Sequence, residues 1–254
     1  MKKAFFDGWD NLFALAAINS GYVLIFSLFL ILPSALGLDW AAGLALAALG
    51  LFAFAQWHAL TASAVAEMAD YHSVSFSGFF SVFPQTWKAG LALGAALSVS
   101  IFSLGLGIPF YIAQKSFLGV FLASLLFWAN LALILSLQYF MPLCAKRPGQ
   151  IRRNMRISIT LFFDNPGFTM ALFIHTAISL VISIALAFLA PGFAGIALAE
   201  AGALKLRMLK YDWLEGKGPE MRRRVPWGEL LAEEKELVGE RTLKGMIFPW
   251  KEGK

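Results

Sequence analysis

The chain has 254 residues, of which 59% are hydrophobic and only 15% charged, with a mean hydropathy of +0.68; soluble domains carry about 25% charged residues, so this composition excludes a water-soluble enzyme or binding module. The net charge of +5 is gathered in one loop and in the C-terminal region, beside apolar helices, as membrane orientation and anionic lipid headgroups require and nucleic-acid binding does not. The single cysteine, Cys144, excludes an intrachain disulfide framework or a cysteine zinc site.

Crossing the hydrocarbon core takes about 20 apolar residues per helix. In chain order, the first such run is 12–36, with Pro33 near its outer end. It follows Met1-Lys2-Lys3 and is about twice as long as a signal-peptide core, so it is expected to be retained as a helix. After a turn at Gly37-Leu38-Asp39, a second helix covers about 40–68 and becomes polar in its last third, at Gln56, His58, Thr61, Ser63 and Glu67. The third and fourth cover about 88–113 and 117–144, and the fifth about 168–190, ended by Pro191-Gly192. The sixth segment, 193–210, is short and carries Glu200, Lys205 and Arg207. It either crosses, with its charged end reaching the interface, or lies re-entrant or flat.

Basic residues set the orientation. With the N-terminus inside, the inner segments hold Lys2, Lys3, Lys88, Lys146, Arg147, Arg152, Arg153 and Arg156, and the outer loops only Lys115. The Arg222-Arg223-Arg224 run falls inside only if the sixth segment crosses. The expectation is therefore an all-α, polytopic membrane helix bundle over 1–211, six transmembrane helices, N-in/C-in. A cytoplasmic tail over 212–254 follows, and the location is a bacterial inner membrane.

Two inner loops read as interfacial amphipathic elbows. In 75–87 the aromatics Phe76, Phe79, Phe80, Phe83 and Trp87 recur at helical spacing, which lays one apolar face along a helix in the interface plane; Pro84 weakens its end. The second elbow, 150–163, begins basic, ends apolar and leads through Asp164-Asn165-Pro166-Gly167 into the fifth helix. The two elbow-plus-helix units echo each other weakly, short of an inverted repeat. In the tail, a short helix is expected over 227–239, with acidic residues early and basic ones late, as a helix dipole favours.

Polar groups inside a membrane are costly and mark candidate sites. Here they are His58, Asn130, Gln138, His175 and Glu200. They serve either as interhelical hydrogen-bonding groups or, if they converge, as a pocket for a proton, a small solute or a metal. Gly90, Gly94 and Ser98 recur every four residues and let another helix come close. Arg152, Arg153, Arg156, Arg222, Arg223 and Arg224 are candidates for docking lipid or a partner. No His-Glu-x-x-His, Gly-x-Ser-x-Gly or Walker string occurs, so neither catalysis nor a cofactor is expected.

Three local strings add a resemblance: Asn11-Leu12-Phe13-Ala14-Leu15 at the first span, Phe79-Phe80-Ser81-Val82-Phe83 with Gln85 before the third, and Tyr139-Phe140-Met141-Pro142-Leu143 at the end of the fourth. With the order of segments, they make about 10–212 resemble the YesL-like bacterial membrane family, a domain without assigned function often encoded beside carbohydrate ABC importers. The resemblance implies an accessory or regulatory subunit whose partners are the membrane subunits of such a transporter. The alternative from the polar residues is a stand-alone small-solute or proton-coupled transporter.

Overall fold

A computed structural model describes residues 2–72, 75–217, 221, 224–232 and 235–236, with the side chains of 2–5 and 76 left out. The described residues hold helices and no strand. In chain order these are α1 (Lys2–Asp10), α2 (Leu12–Ala35), α3 (Trp40–Ala69), α4 (Phe76–Ser81), α5 (Phe83–Ala113), α6 (Phe117–Lys146), α7 (Ile151–Asp164), α8 (Pro166–Ala185), α9 (Gly192–Leu214) and α10 (Trp227–Leu230). Helices α2, α3, α5, α6 and α8 are long and apolar enough to cross a membrane; α9 is not among them. Large apolar side chains such as Phe13, Trp40 and Phe117 stand 83–91% exposed, a surface that only lipid or another apolar partner satisfies. The protein is a membrane protein.

Local chemistry explains where the helices start. Asp39 accepts from Ala42 N–H at 2.8 Å to open α3, and Ser116 accepts from Gly119 N–H at 3.0 Å to open α6. Pro84 and Pro166 sit in the first turns of α5 and α8, where a missing N–H costs nothing. Within α2 and α5, wider turns at Ser27–Ile31 and Ser103–Gly107 precede Pro33 and Pro109. Each contains the residue four before the proline, whose carbonyl the ring would otherwise strike.

Pro84 also corrects the first elbow. The aromatic stripe is not one interfacial helix: α4 ends at Ser81, the chain turns at Val82, and Phe83 and Trp87 belong to the spanning helix α5. Phe79 is buried against Trp57, while Phe80, Phe83 and Trp87 stay exposed. Of the tail helix, only Trp227–Leu230 and a few neighbouring positions fall within the described residues, and the remainder lies outside them.

The faint echo between elbow units is part of a larger order. Each of the triplets α1-α2-α3, α4-α5-α6 and α7-α8-α9 consists of a short elbow, a helix running away from the elbow face, and a helix running back. A single residue separates elbow from outgoing helix each time: Asn11, Val82 and Asn165. Asn11 and Asn165 make the same local bond, each side-chain amide donating to the carbonyl four residues back. The string Ile25-Phe26-Ser27-Leu28, with Leu30 and Pro33, recurs as Ile101-Phe102-Ser103-Leu104, with Leu106 and Pro109, and both wide turns begin at its serine.

Packing closes the three units into a ring. The returning helices α3, α6 and α9 touch one another at the centre. Each outgoing helix lies between its own returning helix and that of the unit before it: α5 between α6 and α3, α8 between α9 and α6, and α2 between α3 and α9. The elbows follow the same rule, with α4 on α3, α7 on α6 and α1 on α9. This is pseudo-threefold symmetry about an axis along the helices, the arrangement of parallel rather than inverted repeats.

The third unit is cut short. Asn19, 1% exposed in α2, donates its amide to the Leu189 and Pro191 carbonyls at 3.0 and 2.9 Å and accepts from Ala194 N–H at 2.9 Å. Ser183 accepts from Gly192 N–H at 2.9 Å. A Cβ on Gly192, which has φ +59, would lie 2.3 Å from the Asn19 amide, so this close approach needs glycine. Phe193 then packs on Tyr22, Phe26 and Phe54. Beyond Asn19, α2 runs on to Ala35, about 24 Å at 1.5 Å per residue. Beyond Phe54, α3 runs on to Trp40, about 21 Å. The α8–α9 turn therefore sits well inside the ends of the first two hairpins.

Candidate functional site

The intramembrane candidates do not gather in one pocket. His58 Nδ1 and the Tyr22 hydroxyl are hydrogen-bonded at 2.8 Å across α3 and α2. Asn130 donates to the Ser100 carbonyl at 3.1 Å, joining α6 to α5. Gln138 donates to the Leu135 carbonyl at 3.1 Å and lies 3.5 Å from that of Thr169; the next residue, Tyr139, shares a 2.7 Å bond with the Thr169 hydroxyl. His175 on α8 is half-buried, and its Nδ1 has no partner among the described residues. Glu200 on α9 is buried, 7% exposed. No hydrogen bond or ion pair reaches its carboxyl among the described residues. Nor do three His, Cys, Asp or Glu side chains come together there.

The small-residue row on α5 faces inward, against α3. A Cβ on Gly90 would lie 2.4 Å from the Gln56 side chain, and one on Gly94 2.6 Å from the Phe52 ring. Ser98 donates to the Gly94 carbonyl at 2.8 Å. These positions let α5 approach the returning helix of the preceding unit.

A denser polar network, which the sequence does not single out, lies where α7 turns into α8 beside the far end of α9. The Asn165 carbonyl oxygen of the side chain accepts from Arg207 Nη1 and from Lys210 Nζ, both at 3.2 Å. Its amide donates to the Tyr211 hydroxyl at 2.7 Å, and that hydroxyl donates to Asp164. The Arg207 guanidinium, 9% exposed, stacks 3.8 Å over the Phe168 ring, with the Trp227 ring of the tail at 5.6 Å. Its Nε has no hydrogen-bond partner among the described residues. Lys205 pairs with Asp70 at 2.9 Å and ties α9 to the end of α3. Together these contacts clamp the returning helix of the third unit to both neighbours.

No family model, curated protein or solved structure matches the chain. Its chemistry must be read from its own residues.

One cavity, of about 300 Å³, opens at the elbow end of the bundle between α3, α4, α5 and the end of α6. Its lining includes the polar residues Ser63, Glu67, Gln85, Thr86 and Cys144 and the apolar residues Phe79 and Val82. Cys144 itself is buried, and its sulfur accepts weakly from the Asn154 amide at 3.5 Å. Arg152, Arg153 and Arg156 are exposed on α7 near this end, and Arg224 is exposed in the tail; Arg222 and Arg223 lie outside the described residues. Sequence reading concentrated on the polar residues deep in the spans and passed over this cavity. Its lining residues are unremarkable singly and meet only through the packing of two units.

Proposed function

We propose that this chain is a non-catalytic accessory subunit of a membrane transport complex, held in the membrane as a rigid scaffold. The observation that carries the reading is the pairwise use of intramembrane polar groups: Tyr22 with His58, Asn130 with Ser100, and Tyr139 with Thr169. Groups spent on interhelical bonds stabilise a bundle; they do not line a solute path. The choice of a carbohydrate importer as partner rests on the YesL-like resemblance. Purification from native membranes in mild detergent is expected to recover permease subunits with the chain. Recovery of the chain alone would count against the reading. Solute uptake by the purified chain in vesicles, lost in Glu200→Gln, would favour a stand-alone transporter instead.

The topology proposed with it has α2, α3, α5 and α6 crossing fully and α8–α9 entering and leaving by one face, as a re-entrant hairpin. Both termini then share the basic side, taken as cytoplasmic. The support is the docking of the α8–α9 turn at Asn19 and Phe54, and the clustering of Arg152, Arg153, Arg156 and Arg207 at one end. With Cys144→Ala as background, an impermeant maleimide added outside is expected to label Leu38→Cys and Lys115→Cys but not Leu189→Cys. Equal labelling of all three would mean that the third hairpin reaches the outer surface.

A further inference from the structure

The three elbow junctions are equivalent by the internal symmetry, and the cavity lies at the one between the first and second units. At the α6–α7 junction, Ser158 donates to the Ser136 carbonyl, and Asn154 donates to the Arg147 carbonyl at 2.9 Å. At the α9–α1 junction, Leu198 packs into the core formed with Leu15, beside Gly8. The second unit's elbow, α4, is only 6 residues long, against 9 for α1 and 14 for α7. The 300 Å³ cavity lies beside this shortest elbow, against α3.

The chemistry of the lining selects its occupant. Ser63 donates its hydroxyl hydrogen to the Ala59 carbonyl, and Thr86 donates to those of Val82 and Phe83. Each hydroxyl hydrogen is thus engaged within its own helix, which leaves the oxygen lone pairs free to accept. Glu67 adds a carboxylate, which also pairs with His72 at 3.1 Å. With the Gln85 amide, which both donates and accepts, the lining suits a ligand with several hydroxyl groups. Ala145 and Pro148 line the cavity and bracket Lys146 and Arg147 in the chain, while Lys88 follows Thr86 by two positions. Acceptors in the lining and cations beside it in the chain match a polyol carrying a phosphate.

We propose that this cavity binds a polyol phosphate, with its hydroxyl groups inside and its phosphate against Lys146 and Arg147. Two sources share that chemistry: the headgroup of a glycerophospholipid such as phosphatidylglycerol, and a free polyol phosphate. The site is independent of whether a transport complex is the partner.

Cys144, at the cavity wall and the chain's sole cysteine, is the reporter. The full chain is placed in nanodiscs of phosphatidylcholine alone or with added phosphatidylglycerol or phosphatidylserine, and alkylation by N-ethylmaleimide is timed. A several-fold slowing by phosphatidylglycerol, not by phosphatidylserine, is expected, and Ser63→Leu, which fills the cavity, should abolish it. Slowing by glycerol 3-phosphate added to phosphatidylcholine discs would assign the free solute as the source. Measurable but equal rates under every condition, or equal protection by phosphatidylserine, overturns the proposal. Should Cys144 resist the reagent throughout, native mass spectrometry decides: phosphatidylglycerol retained equally by the wild type and Ser63→Leu would overturn it.

Discussion

Replacement of Asn19 by Leu is expected to lower the unfolding temperature in detergent by about 10 °C. The substitution conserves bulk but strands the Leu189 and Pro191 carbonyls and the Ala194 N–H, all bonded to this one amide. Each buried group left without a partner costs about 1–3 kcal/mol, and in a chain of this size each kcal/mol lowers the transition by roughly 2–4 °C. Ser20→Ala is the control. Its hydroxyl is exposed and bonded only to the Ala16 carbonyl within its own helix, so the transition should move by no more than about 1 °C. A shift below about 2 °C in Asn19→Leu would mean that the turn finds other partners, and that the amide does not hold the third unit in place.

The second large effect is a contrast between two partners. Asn165→Leu leaves the buried Arg207 guanidinium without its amide acceptor and is expected to cost about 3 kcal/mol, because a buried charged donor left without a partner retains its desolvation penalty. Arg207→Met keeps a long apolar side chain on Phe168 and removes the charge itself, so its cost should stay below about 1.5 kcal/mol. The double variant should therefore be more stable than Asn165→Leu alone, a sign of coupling that additive losses do not produce. Thermal unfolding of the four proteins tests this. A double variant as unstable as the sum of the singles would show that the Asn165–Tyr211 bond, not the guanidinium, is what the corner needs.

Both predictions concern residues that hydropathy makes hard to weigh. Asn19 lies in a strongly apolar run, and nothing in its neighbourhood identifies a partner 170 positions away in the chain. The first two hairpins were legible, since apolar length and the Asp39 and Ser116 caps mark their limits. The elbow at 75–87 was misplaced because helical spacing of aromatics continues across Val82, and only the backbone turn reveals that Phe83 and Trp87 belong to the span. The repeat was legible only as a faint echo between the second and third units, although Ile25-Phe26-Ser27-Leu28 and Ile101-Phe102-Ser103-Leu104 stand at matching places in α2 and α5. The third unit hides it, because its outgoing helix lacks that string and its returning helix carries Glu200, Lys205, Arg207 and Lys210.

By itself the sequence determined a helical membrane protein, the limits of its long hairpins and the gathering of positive charge near one end, because these follow from apolar length and composition along the chain. The tertiary structure alone decided that three units close into a ring, that the third stops at Asn19, and that a cavity opens at the shortest elbow. Those outcomes depend on which side chains meet across units. Apolar helix faces of similar composition do not encode that choice locally; the few polar bonds between them do.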